Sequence, residues 1–225
     1  MKKQGMKLMM IVLVLMLAIA ATGCGGGKTT PTELNSFTLG SSTAFDTMNP
    51  LSSYMQVTYE FFMLVYDSLV KYDENYNAVP DLAKEWSVSD DGLTWTFKLQ
   101  EGVKWHDGQP FTSKDVKFTY DLMLNTGLGY MYSSYLTGIT DIQCPDDLTV
   151  VIVTEEPKAN MLMNTTPILP EHIFSAIPET ELETWPNESP VGTGPYKFDS
   201  TGPNFVKIVK NADYFGEQPD RKSVV

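Results

Sequence analysis

Residues Leu82–Val116 read LAKEWSVSDDGLTWTFKLQEGVKWHDGQPFTSKDV and hold three of the chain's four tryptophans. Leu93, Trp95, Phe97 and Leu99 alternate with Thr94, Thr96, Lys98 and Gln100, the pattern of a strand with one apolar and one wetted face. Glu101-Gly102 turns the chain, and Val103 and Trp105 read as a return strand. Asp107-Gly108 supplies a second turn. Thr112-Ser113-Lys114-Asp115 has the form of a capping box, with Thr112 capping and Asp115 reaching back. The helix that follows runs to about Asn125 and buries Val116, Tyr120, Met123 and Leu124, spaced to share one face.

Upstream, Phe37-Thr38-Leu39-Gly40 reads as a short strand, and a polar loop ends in Met48-Asn49-Pro50-Leu51. A helix over Val57–Leu69 is apolar on most sides, so a buried helix is expected. Asn75–Pro80 reads as a turn, and Asp81 as the start of a brief helix into Trp86. Downstream, Gly127–Ser134 is a Gly/Tyr-rich loop, and Leu148–Thr154 is a nearly continuous apolar strand covered on both faces. Leu169-Pro170-Glu171-His172-Ile173-Phe174 opens another helix with Pro170 near its start. Pro190–Pro195 is a rigid loop leading into Tyr196-Lys197-Phe198, and Phe205–Val209 is a further strand. The sum is a mixed α/β body without internal repeats.

The N-terminus is a targeting device. Lys2, Lys3 and Lys7 precede the apolar run Leu8–Ala20, which falls short of the ~20 apolar residues of a membrane span. Ala21-Thr22-Gly23-Cys24 looks like a lipobox, although Ala21 stands where leucine is usual. Residues 1–23 are thus expected to be a lipoprotein signal peptide, with Cys24 lipidated and anchoring an exported protein. An uncleaved N-terminal anchor is the alternative, and it exports the remainder as well. Residues 24–36, rich in Gly and Thr, have the composition of a flexible tether. Cys144 is then left without a disulfide partner and reads as a buried apolar filler. The net charge is −12, or −15 once Lys2, Lys3 and Lys7 are removed. So acidic a surface repels phosphate backbones, which argues against nucleic-acid binding.

Four segments together resemble the family 5 extracellular solute-binding proteins, the receptors of oligopeptide, dipeptide and nickel ABC importers. They are Met48-Asn49-Pro50-Leu51, the 82–116 block, Ile168-Leu169-Pro170-Glu171-His172-Ile173, and Pro190-Val191-Gly192-Thr193-Gly194-Pro195-Tyr196-Lys197-Phe198. The resemblance implies a type II periplasmic-binding-protein-like α/β fold whose two lobes close over a ligand. It assigns residues 37–65 and 158–225 to a discontinuous first lobe and 66–157 to an inserted α/β subdomain, with the second lobe absent. Such receptors hold peptides extended, largely through backbone pairing. The resemblance places Tyr54, Met55 and Gln56, just after the Asn-Pro-Leu element, and Tyr132 at the ligand. It implies a monomer without cofactor that captures extracellular peptides and passes them to ABC permease subunits. The receptor would be lipid-anchored to the outer face of the cytoplasmic membrane, in the periplasm or at the cell surface.

Two lobes need roughly twice this length, so a fragment is expected, and a truncated, non-transporting product is a second reading. An exported hydrolase is a third, but no Ser/His/Asp set stands out. His106 and His172 match no metal-ligand spacing and read as structural. Trp86, Trp95 and Trp105 read as core, and Tyr54 and Tyr132 as the better cleft residues.

Overall fold

The computed structural model describes residues 36–225, so the signal, Cys24 and nearly all of the tether lie outside the described residues. Two four-stranded sheets and a two-stranded ribbon carry the fold. The central sheet contains β4 (Ala83–Val88), β5 (Thr94–Leu99), β6 (Ile139–Asp146) and β7 (Thr149–Thr154), in the order β4-β5-β7-β6, all antiparallel. The other sheet has the order β1-β10-β9-β8, from β1 (Ser36–Phe37), β8 (Tyr196–Gly202), β9 (Phe205–Lys210) and β10 (Ser223–Val224), with β1 and β10 parallel. β2 (Val70–Tyr72) and β3 (Ala78–Pro80) form the ribbon.

The alternation in β5 works as expected: Phe97 and Leu99 are buried while Lys98 is exposed, and Trp95 stacks on Phe97 at 6.3 Å. Its neighbour β7 is covered fully on one face only. Val150 and Ile152 are completely buried, whereas Val151 and Val153 are half-buried. The capping box is formed as well. Lys114 N–H donates to Thr112 Oγ1 and Thr112 N–H to Asp115 Oδ2 at 2.9 Å, opening α2 (Ser113–Thr126). Gly127 ends that helix at φ 72°, a backbone region that favours glycine.

Several expectations give way to pairing. Asp81–Trp86 is not a helix but leads into β4, because Trp86 pairs with Phe97 and the Leu82 and Ala83 N–H groups bond to Ser68 O and Leu69 O. The Val103–Trp105 segment is no strand, since β4 and β7 already take both edges of β5. Only a single bridge, Lys104 to Pro110, remains of it, although Val103 and Trp105 are buried. α1 (Gln56–Val65) stops before Leu69, because Tyr66 is extended and the carbonyls of Ser68 and Leu69 serve the β4 segment. Gln56, Glu60 and Met63 leave one stripe of α1 exposed. The expected Asn75–Pro80 turn is instead centred on Asp73–Asn77, and Ala78–Pro80 is a strand. The opening strand is confined to Ser36–Phe37, and Leu124 is 39 % exposed. Tyr130–Tyr132 and α3 (Ser133–Leu136) give the 127–134 loop helical turns, and α4 (Glu171–Phe174) is one turn long. Cys144 is only half-buried and its Sγ donates to Ser113 O at 3.2 Å, so it is no simple apolar filler.

Candidate functional site

The loop before α1 is organised by Asp46. Ser53 Oγ and Thr58 Oγ1 each donate to Asp46 Oδ1 at 2.8 Å, the Thr47 N–H donates to the same oxygen at 2.9 Å, and the Tyr54 N–H donates to Oδ2 at 2.9 Å. Partial burial opposes the charge, but these bonds outweigh it and hold the Asp46 carboxyl below its ordinary range. With its backbone so fixed, Tyr54 turns its side chain to solvent at 65 % exposure. Met55 is half-buried as the N-cap of α1, and exposed Gln56 bonds to Glu60 at 3.3 Å.

Tyr132 comes from the other candidate stretch. A hydrogen bond from Gly129 N–H to Leu51 O at 2.7 Å brings that stretch against the 51–56 segment. Tyr132 is only 2 % exposed, and with Tyr59, Tyr66 and Tyr72 it lines a cavity of about 300 Å³ that also touches Asp67 and Asp81. Burial pushes its phenol up, with Tyr59 and Tyr66 adding to the effect. The exposed phenol in this turn is Tyr130, at 51 %, whose own upward shift comes from desolvation and then from nearby Tyr54 and Asp46. Tyr54 thus faces a neighbourhood shared with Tyr130, while Tyr132 belongs to the wall of the cavity. Sequence reading passed over Asp46, Tyr59 and Tyr130. Of the buried pair Asp67 and Asp81, the first did leave a signal, as the lone acid inside the apolar run Leu64-Val65-Tyr66-Asp67-Ser68-Leu69-Val70.

The motif residues act as ties. Asn49 Nδ2 donates to Leu182 O at 2.7 Å and Trp185 O at 3.0 Å. Asp115 Oδ1 accepts the Glu171 N–H at 3.1 Å and Thr119 Oγ1 accepts the Leu169 N–H at 2.9 Å, docking α4 on α2. His172 Nε2 stands 2.7 Å from Asp107 Oδ2. His106 bonds through both ring nitrogens to Gly192 and Gly194, so neither nitrogen faces a reactant. Trp105 is buried, while Trp86 and Trp95 are half-buried against the core. Among the described residues no three His, Cys, Asp or Glu side chains come together as a metal site.

This mixed α/β body, with its sheets and ties so arranged, has the fold of the type II periplasmic binding proteins. The chain belongs to the bacterial extracellular solute-binding proteins, family 5, whose middle-region model matches residues 77–225. The members of that family are solute-binding receptors. A Brucella ovis protein, provisionally named an ABC transporter peptide-binding protein, is 42% identical over 177 residues, 76% of this chain and 33% of its own length. The oligopeptide-binding protein AppA of Bacillus subtilis, solved with a nonapeptide, is similar with a TM-score of 0.76 at 28% identity, over 84% of this chain and 39% of AppA. NikZ of Campylobacter jejuni, solved with Ni(L-His), gives 0.73 at 26% identity, over 86% of this chain and 38% of NikZ. The chain therefore spans about a third to two fifths of the length of these proteins.

Proposed function

We propose that this chain forms one wall of a substrate-binding receptor that captures extracellular peptides for an ABC importer. The observation that carries the reading is its likeness, over 84% of its length, to a receptor solved with a nonapeptide. The exposed Tyr54, the α1 start at Met55 and Gln56, and the cavity wall at Tyr132 supply the surface on which an extended peptide would lie. Residues 37–65 and 158–225 act as the first lobe and 66–157 as its inserted subdomain. The receptor works as a monomer beside its permease subunits, tethered through lipidated Cys24.

Calorimetric titration of the protein, as its host produces it, tests the ligand class. Saturable binding of peptides of two to nine residues supports the reading. Binding of a nickel–histidine complex with no response to peptides overturns the peptide assignment, and hydrolysis of the peptides overturns the receptor reading. Cys24→Ala tests the tether: loss of lipoprotein labelling and of membrane association is expected, and their persistence rejects the anchor.

A further inference from the structure

The cavity wall holds a buried carboxyl, that of Asp67. Asp67, 6 % exposed, lies in the stretch that leads from α1 to β2. Thr193 Oγ1 lies 2.8 Å from its Oδ2, Tyr214 Oη lies 3.3 Å from its Oδ1, and its backbone carbonyl accepts the Ile168 N–H at 3.0 Å. One residue thereby joins the exit of α1, the 190–195 loop, the Tyr214 segment and the approach to α4. The next residue extends the junction, since the Ser68 N–H donates to Asp81 Oδ2 at 3.1 Å.

Charge at this junction is out of balance. Asp81 is 4 % exposed, and Lys71 Nζ pairs with its Oδ1 at 3.3 Å. Two buried carboxyls thus share the Lys71 cation, and Asp81 holds it. The side-chain partners of Asp67 are neutral hydroxyls, which stabilise a buried carboxylate far less than an ion pair does. The other titratable groups on the surrounding cavity wall are the phenols of Tyr59, Tyr66, Tyr72, Tyr132 and Tyr214. Beyond the 192–194 loop stands His106, which burial holds neutral.

We propose that Asp67 is a proton-carrying clasp: its carboxyl keeps a hydrogen while the α1 exit, the 190–195 loop and the Tyr214 segment are packed together, and releases it to solvent when they separate. As an acid it donates to one hydroxyl oxygen and accepts from the other, so both junction contacts are satisfied without a buried charge. The packing of the junction then depends on the surrounding pH, whatever ligand the receptor takes.

Burial first, and then the charge on Asp81, push the Asp67 carboxyl from 3.8 up to about 8. Between those values the folded chain keeps a proton that the unfolded chain has lost, so the stability contributed by this carboxyl falls as pH rises and is gone above about 8. His106 contributes in the opposite direction, but only below 6.5, which leaves a window from about 6.5 to about 8 in which Asp67 acts without it.

The test is the unfolding equilibrium of the whole chain across that window. The unfolding constant should rise by up to about tenfold per pH unit, the slope of one proton. Asp67→Asn, which cannot ionise, should lose one proton of that slope. A flat wild-type profile, or an Asp67→Asn profile as steep as the wild type, overturns the proposal. Should that variant fail to fold, carbon-13 titration of the aspartate carboxyls in the wild-type chain decides. A carboxyl titrating near pH 8 and displaced by Tyr214→Phe sustains the clasp. Titration of every aspartate below about pH 5, near the ordinary carboxylate range, refutes it.

Discussion

His106 donates from Nε2 to the carbonyl oxygen of Gly194 at 2.9 Å, while its Nδ1 accepts the Gly192 N–H at 3.2 Å. The second bond requires a bare Nδ1, which fixes the tautomer and excludes the charged ring. Burial accordingly lowers the imidazole from 6.5 to about 4. Because the folded value is depressed, its contribution is complete above 6.5 and is lost as pH falls toward about 4. His106→Gln should lose stability by about 2 kcal/mol near neutrality and lack that acid-range decline. Urea unfolding of both proteins from neutral pH down to pH 4 measures it, and parallel acid limbs would contradict the assignment.

Gly192 is where the 190–195 loop crosses the end of α1. A Cβ there would stand 1.8 Å from Val65 O, an approach no side chain tolerates. Gly192→Ala must push the two backbones apart and strain the neighbouring bond from Gly194 N–H to Val65 O. The expected loss exceeds about 4 kcal/mol, in the range of severe backbone and packing defects. Gly102→Ala serves as a control, because its Cβ meets open space and only φ +73° opposes it. Its cost should be about 1–2 kcal/mol. Equal losses in the two variants would show that loop crossing is not what Gly192 provides.

Tyr76 occupies a left-handed position, φ 62°, at the tip of the β2–β3 ribbon, with 86 % of its surface exposed. Its N–H closes the turn to Asp73 O at 3.1 Å. Glycine adopts this conformation without the Cβ penalty. Tyr76→Gly should therefore raise stability by about 0.5–1 kcal/mol, less than the full left-handed penalty because the unfolded chain gains freedom. An unchanged or lowered melting temperature would count against strain at this residue.

Tyr54 and Tyr132 should separate binding from folding. Tyr54 is exposed and held only by its backbone, so Tyr54→Ala should alter stability by less than about 0.5 kcal/mol. Peptide affinity of the host-produced receptor should fall by roughly tenfold, the equivalent of one lost aromatic contact of about 1.4 kcal/mol. Tyr132→Ala should instead destabilise by about 3–5 kcal/mol, as for a large buried aromatic ring. Undiminished peptide binding by Tyr54→Ala would remove that residue from the ligand surface.

What was legible in the sequence followed from local periodicity. The two-residue alternation of Thr94–Leu99, the Thr112/Asp115 box and the strand character of β7 each depend on neighbours along the chain and took their expected form, although β7 is covered fully on one face rather than two. The Asp81–Trp86 and Val103–Trp105 segments did not, because their fate depends on which strands reach the two edges of β5. Tyr54 and Tyr132 look alike in sequence, each among small polar residues, yet one is exposed and the other enclosed. No local signal distinguishes them, since Tyr59 and Tyr66, which lie beside the enclosed Tyr132, come from a segment distant in the chain.

By itself, then, the sequence determined the family and, within the 82–116 block, the β5 strand and the capped start of α2, because alternation and caps are short-range physics. The tertiary structure decided what the motif residues do. Asn49, His106, Asp115 and Gly192 are ties between segments far apart in the chain, and Asp67 is a buried acid among hydroxyls. Those roles arise from desolvation and from partners that only folding brings within hydrogen-bonding distance.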